Sequence, residues 1–144
     1  MRVVAVLLAA CAVAMLTGPG AAVATPGFAT FRTPSKNIGC VYAAAEGGRP
    51  AALRCDIRSG LRPKPARPAR CDLDYGDSYE LARTGRAIVV CHGDTAIDPR
   101  APVLAYGKVW RRNGFTCSSK TIGLRCTNSI GHGFFMSRAH SYRF

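Results

Sequence analysis

Phe115-Thr116-Cys117-Ser118-Ser119-Lys120-Thr121-Ile122-Gly123-Leu124-Arg125-Cys126-Thr127 is the stretch on which the fold turns. Phe115 and Cys117 alternate with Thr116 and Ser118. Ile122, Leu124 and Cys126 then alternate with Thr121, Gly123, Arg125 and Thr127. Strand side chains point to opposite faces in turn, so this period of two puts each cysteine on an apolar face and the polar residues on a wet one. Eight residues separate the two cysteines, enough for a tight turn and a few cross-strand pairs. Opposed non-hydrogen-bonded positions of a hairpin lie close enough for a disulfide. The stretch therefore predicts a hairpin closed by Cys117 and Cys126.

The same pattern recurs upstream. Ile38, Cys40 and Tyr42 share one parity; Leu53, Cys55 and Ile57 share another, with Arg54, Asp56 and Arg58 expected on the wet face. Cys40 and Cys55 then close a second hairpin around a loop from Ala43 to Pro50, which leaves Cys71 to pair with Cys91. Ala87 to Cys91 is apolar on both faces, as a central strand would be. Gly133 to Met136 is a further strand. Asp77 to Thr84 reads as a short helix or a strand, and no long stretch carries the helical i, i+3, i+4, i+7 pattern. The expected fold is all-β: a small single-domain antiparallel sheet or barrel-like arrangement of hairpins stapled by three disulfides. An internal echo joins Ser35-Lys36-Asn37-Ile38-Gly39 to Ser119-Lys120-Thr121-Ile122-Gly123, and Leu53-Arg54-Cys55 to Leu124-Arg125-Cys126.

The chain begins Met1-Arg2 and runs apolar from Val3 to Leu16, the length of a signal-peptide core and short for a membrane span. Breakers follow, then Ala22-Val23-Ala24, so cleavage is expected after Ala24 and a secreted, extracellular domain is expected over 25–144. Leu8-Ala9-Ala10-Cys11 has the local form of a lipoprotein box but lies inside the apolar run. Without the leader, six of the seven cysteines remain, an even number that in an exported chain reads as disulfides. Zinc wants close ligand pairs, and the tightest cysteine pair here has eight residues between its members, so no metal is expected. The balance is basic, 20 Lys and Arg against 8 Asp and Glu, a formal net charge of +12. No later apolar run reaches 18 residues, so no span is expected after the leader.

Arg58 to Arg70 is the most distinctive segment. Its five cations are Arg58, Arg62, Lys64, Arg67 and Arg70, with three prolines and no acid. Prolines hold it extended and remove ladder donors, so it is a loop or a sheet edge. Its plainer use is as a solvated loop that discourages aggregation. Its functional use is as a cationic arm for an acidic polymer or surface. Asp72, Asp74, Asp77 and Glu80 follow; their spacing fails that of a calcium loop and suits partial neutralisation of nearby arginines. His92, His132 and His140 invite a nuclease reading, in which two histidines move protons and an arginine holds the phosphate, but no motif sets that geometry. No Gly-x-Ser-x-Gly motif occurs. Tyr106, Trp110, Phe115, Phe134, Phe135, Tyr142 and Phe144 read as core and sheet packing, with a carbohydrate-stacking face on Trp110 as the alternative. No catalytic residue and no cofactor is assigned.

Several segments together resemble a family of exported actinobacterial proteins of unknown function. They are Thr33-Pro34-Ser35-Lys36-Asn37-Ile38-Gly39-Cys40, Leu53-Arg54-Cys55-Asp56-Ile57, Cys91-His92-Gly93-Asp94-Thr95, Leu104-Ala105-Tyr106-Gly107, Gly114-Phe115-Thr116-Cys117, Gly123-Leu124-Arg125-Cys126-Thr127-Asn128 and Gly131 to Arg138. The resemblance implies export, one compact domain and disulfides, and no activity. Separately, Cys55-Asp56, Gly60, Pro63, Pro65 and Cys71 resemble the first disulfide loop of bacterial subtilisin-inhibitor-like proteins, which implies a Cys55–Cys71 bridge. The expectation is a secreted non-enzymatic binding domain at or outside the cell envelope. Its basic face would meet an acidic envelope polymer or an extracellular protein, with no specific nucleic acid as partner. A protease inhibitor and a small nuclease are the alternatives.

Overall fold

The computed structural model describes residues 27–144; the expected leader, with Cys11, lies outside the described residues. Ten strands follow in chain order: β1 (Phe28–Arg32), β2 (Ile38–Ala43), β3 (Ala52–Ile57), β4 (Ser78–Ala82), β5 (Ile88–Val89), β6 (Val109–Arg112), β7 (Phe115–Lys120), β8 (Gly123–Thr127), β9 (Gly133–Met136) and β10 (Ser141–Arg143). They form two antiparallel sheets in which every strand pairs with its sequence neighbour, β1 to β5 and β6 to β10. There is no helix among the described residues. The all-β class holds, but the two sheets stay separate and do not close into a barrel.

Alternation dictates how the sheets meet. Phe31, Cys40, Cys55, Tyr79 and Val89 stand side by side across the first sheet. Trp110, Cys117, Cys126 and Phe134 do the same across the second. Their rings meet across the gap, Phe31 with Trp110 at 5.0 Å between centroids and Tyr79 with Phe134 at 5.4 Å. Each sheet thus offers an aromatic–disulfide–aromatic row to the other, and both rows belong to one core. Aromatic pairs of this kind stabilise by about 0.5–1.5 kcal/mol beyond the area they bury. Between β6 and β7, Asn113 and Gly114 both take positive φ (46° and 89°), the conformation of a two-residue turn whose twist suits a hairpin. Asn113 Nδ2 donates to the Tyr42 hydroxyl at 2.8 Å, which fastens this turn to the other sheet.

The disulfides pair in sequence order. Cys40–Cys55 and Cys117–Cys126 join directly opposed residues, each with 4.1 Å between Cα atoms, as at close non-hydrogen-bonded positions. Cys71–Cys91 instead joins two loops.

The registers also sort the internal echo. Leu53-Arg54-Cys55 on β3 and Leu124-Arg125-Cys126 on β8 occupy matching places, with Leu81 and Met136 as matching neighbours. Ser35-Lys36-Asn37 lies in the turn before β2, whereas Thr121-Ile122 forms the turn after β7, so that part of the echo falls on unrelated positions.

Two expectations change, and the choice left open between helix and strand over Asp77 to Thr84 falls to the strand. Ala87 to Cys91 is not a central strand: β5 is two residues long and sits at the sheet edge, with Ile88 53% exposed, because the chain turns away to bring Cys91 to Cys71. Asp77 to Thr84 is strand β4, with Tyr79 and Leu81 inward at period two. Ile122 does not share the core with Leu124 and Cys126. The last β7–β8 pair is Lys120 with Gly123, so Ile122 sits in the turn and is 69% exposed.

Candidate functional site: a basic cleft beside a covered sheet face

The segment between β3 and β4 is a loop, as its prolines require. It is moored at Leu61, which is buried in the core and whose amide donates to the Gly76 carbonyl at 2.8 Å. The Ser141 amide donates to the Arg62 carbonyl at 2.6 Å, tying the loop to β10 of the second sheet. Gly76 is at φ 92°, and a Cβ there would stand 3.3 Å from Lys64 Cγ, so the lysine stem lies across it.

Held in this way, the loop walls a cleft of about 400 Å³. Arg58, Arg62, Lys64 and Arg67 line it, with Asp74 and Asp77 opposite in the chain. Four of the five cations singled out from sequence are thus brought together, while Arg70 lies exposed outside the cleft. Two of the four also have structural work: Arg58 Nε donates to the Lys36 carbonyl at 3.1 Å, and the Arg67 guanidinium donates to the carbonyls of Cys71 and Leu73. Among the described residues, the side chains of Arg62 and Lys64 carry no such bond.

The cleft is stiffened from behind. Arg54 and Asp56, expected on a wet face, are overlaid by residues 94–97, and Asp56 is only 2% exposed. The physical reason is pairing. Arg54 donates to Asp56 from Nε and Nη2, each at 2.9 Å, and from Nη1 to Asp94 at 2.7 Å. Asp56 also accepts the Ala96 amide at 2.7 Å and the Thr95 hydroxyl at 3.2 Å. A buried carboxylate with this many donors is satisfied without water. Burial by itself would lower the Arg54 pKa, but the hydrogen bonds to Asp56 and Asp94 outweigh it and hold it raised. The bond from Arg54 holds the Asp94 carboxyl below its ordinary range. Gly39 lies under the same segment, where a Cβ would come within 2.6 Å of Ile97 Cα.

His92 is buried beside this network. Its Nδ1 lies 2.6 Å from the Asp94 carbonyl and its Nε2 lies 2.9 Å from Asp77, which carries the contact to the cleft wall. Paired main-chain bonds between Asp74 and His92, next to the Cys71–Cys91 bridge, complete the support. The acids after Asp72 were expected to offset neighbouring arginines. Asp74 and Asp77 line the cleft with Arg58, Arg62 and Arg67; the close contacts of acids found among the described residues are Arg54 with Asp56 and Asp94, and the His92 ring with Asp77.

The other sequence candidates scatter. His92 is under the loop, His132 follows the β8–β9 turn, and His140 stacks on Phe135 (5.1 Å between centroids), so no two histidines flank one site. Trp110 is half-buried and packs against Phe31 and Tyr42 at the edge of the core. Cys55 is joined to Cys40, so the Cys55–Cys71 loop implied by the inhibitor likeness does not exist. A smaller cleft of about 300 Å³ holds Lys120 and Arg138, two cations the loop-centred reading passed over.

One family fits the chain: the Family of unknown function (DUF6636) matches residues 9–144, and the chain belongs to it. No curated protein and no solved structure matches.

Proposed function

We propose that this DUF6636 member is a non-enzymatic binding domain that works outside the cell and holds an acidic envelope polymer in the cleft of Arg58, Arg62, Lys64 and Arg67. The observation that carries the reading is the convergence of these four cations on one moored, concave surface rather than along a free arm. Three disulfides fit an oxidising compartment, and the apolar N-terminal run followed by Ala22-Val23-Ala24 fits a cleaved export signal. Arg62 and Lys64 would supply attraction, and the walls would supply the shape that attraction alone lacks.

A salt titration of binding tests it, with the oxidised protein against a polyuronate, a polyol-phosphate polymer and RNA. Arg58, Arg62, Lys64, Arg67 and Arg70 are replaced by glutamine in a parallel variant. Binding to one envelope polymer is expected to survive about 0.5 M salt, where bare charge attraction is largely screened, and to drop in the variant. Equal release of all three polyanions at modest salt, with the variant unchanged, sinks the proposal.

A further inference from the structure

All eight acidic residues lie at or before Asp98; beyond it come eight lysines and arginines with no acid among them. The whole second sheet falls in that acid-free part. Its outer face is therefore basic without internal compensation. One row across it runs Val109, Ser118, Arg125, Phe135 and Tyr142. Arg111 lies one row over, beside Thr116 and Thr127, and Phe144 pairs in the same row through Gly133.

The aromatic residues on this face lie down. A Cβ at Gly123 would stand 2.5 Å from Phe135 Cζ, and one at Gly133 would stand 2.9 Å from Phe144 Cζ, so glycine is what lets each ring settle against the sheet. Phe135 is buried under His140 and Tyr142, whose rings are within 4° of parallel. Tyr142 is left 47% exposed, and the Arg125 guanidinium sits 4.2 Å from the Phe144 centroid. The result is a supported aromatic patch with a cation held on it, in a stretch of chain that has no aspartate or glutamate.

The geometry points to a second binding surface here, for a uronic-acid polysaccharide. A pyranose ring sets its C–H face on Tyr142, and carboxylates along the chain meet Arg125 and Arg111 as charge-assisted hydrogen bonds. A nucleic acid fits less well. Its bases stack best on separate rings with open faces, whereas Phe135, His140 and Tyr142 pack on one another and leave a single outer face. This surface lies on the second sheet, whereas Arg54 and Asp56 are on the first, and the inference stands apart from the proposal for the cleft.

The test is titration of the oxidised protein with a hexameric oligogalacturonate, followed by amide NMR shifts and calorimetry. Its methyl ester and an oligothymidylate serve as controls. Shifts are expected in β8 to β10. Tyr142→Ala is expected to weaken binding of both uronate forms about tenfold, and Arg125→Gln to weaken the free acid about tenfold with little effect on the ester. The glutamine variant of the five loop cations, Arg58, Arg62, Lys64, Arg67 and Arg70, is expected to leave these shifts in place. Shifts confined to residues 58–77 overturn the inference while leaving the cleft proposal standing. Tighter binding of oligothymidylate than of the uronate, the absence of uronate binding, or indifference to both substitutions also overturns it.

Discussion

Inside, the two sheets are near copies; outside, they are opposites. Each has its cysteines on its second and third strands, bridged across the pair and flanked by aromatic residues that meet the other sheet. At matching outer positions, however, Gly39 answers to Thr116 and Asp56 to Thr127. The first sheet has a loop laid on it, which demands a glycine for clearance and a buried carboxylate for anchoring. Among the described residues the second has no loop anchored on it in this way, and it keeps ordinary β-formers, cations and rings there. Packing constrains the inner rows of both sheets alike. The outer face of the first sheet is set by the chain it meets.

Removal of the Asp56 anchor should distinguish the two sheets most strongly. Asp56→Ala leaves Arg54 buried without its main partner and is expected to destabilise by about 3–5 kcal/mol. Thr127→Ala, at the matching place, is expected to stay within about 0.5 kcal/mol. Urea unfolding of the oxidised proteins measures both, and equal losses would mean that the two outer faces are not different in kind. Gly39→Ala should cost about 1–3 kcal/mol through overpacking against the Ile97 backbone, with Thr116→Ala near neutral on the same assay. The smallest effect concerns pH. Arg54 holds the folded-state Asp94 pKa below its unfolded value, so the stabilisation is present above the ordinary carboxylate range, near ~3.9, and is lost as pH falls through the folded value. The thermal midpoints of the natural protein and Asp94→Asn should therefore differ at pH 6 and converge toward pH 3. A gap that widened on acidification would show that Asp94 does not hold the loop through its charge.

Much of this architecture was legible from parity. Alternation around Cys40, Cys55, Cys117 and Cys126 anticipates both hairpins, because a two-residue period and a direct cross-strand bridge are local properties. Parity gives the face and not what lies over it. That is why Arg54 and Asp56 read as wet, when their partners Asp94 and Ala96 come some 40 residues later. Apolarity on both faces made Ala87 to Cys91 look central, but the demand of Cys71 on Cys91 cut the strand short. The basic loop was visible as a run, and its folding into a cleft depended on Leu61 and Gly76, which composition does not reveal. The aromatic face of the second sheet was passed over because its rings were read as core. The end of the acids at Asp98 was the signal that marks that half of the chain.

That lopsided acid placement has an electrical consequence. Residues 99–144 hold eight lysines and arginines and no aspartate or glutamate, so this part of the chain is strongly positive at neutral pH. The other half, with all the acids, is closer to balance. Such a molecule has a permanent dipole in its charge distribution and experiences a torque near any negative wall. It turns the second sheet toward the wall during approach, before contact is made, and the turning weakens as salt shortens the reach of the field.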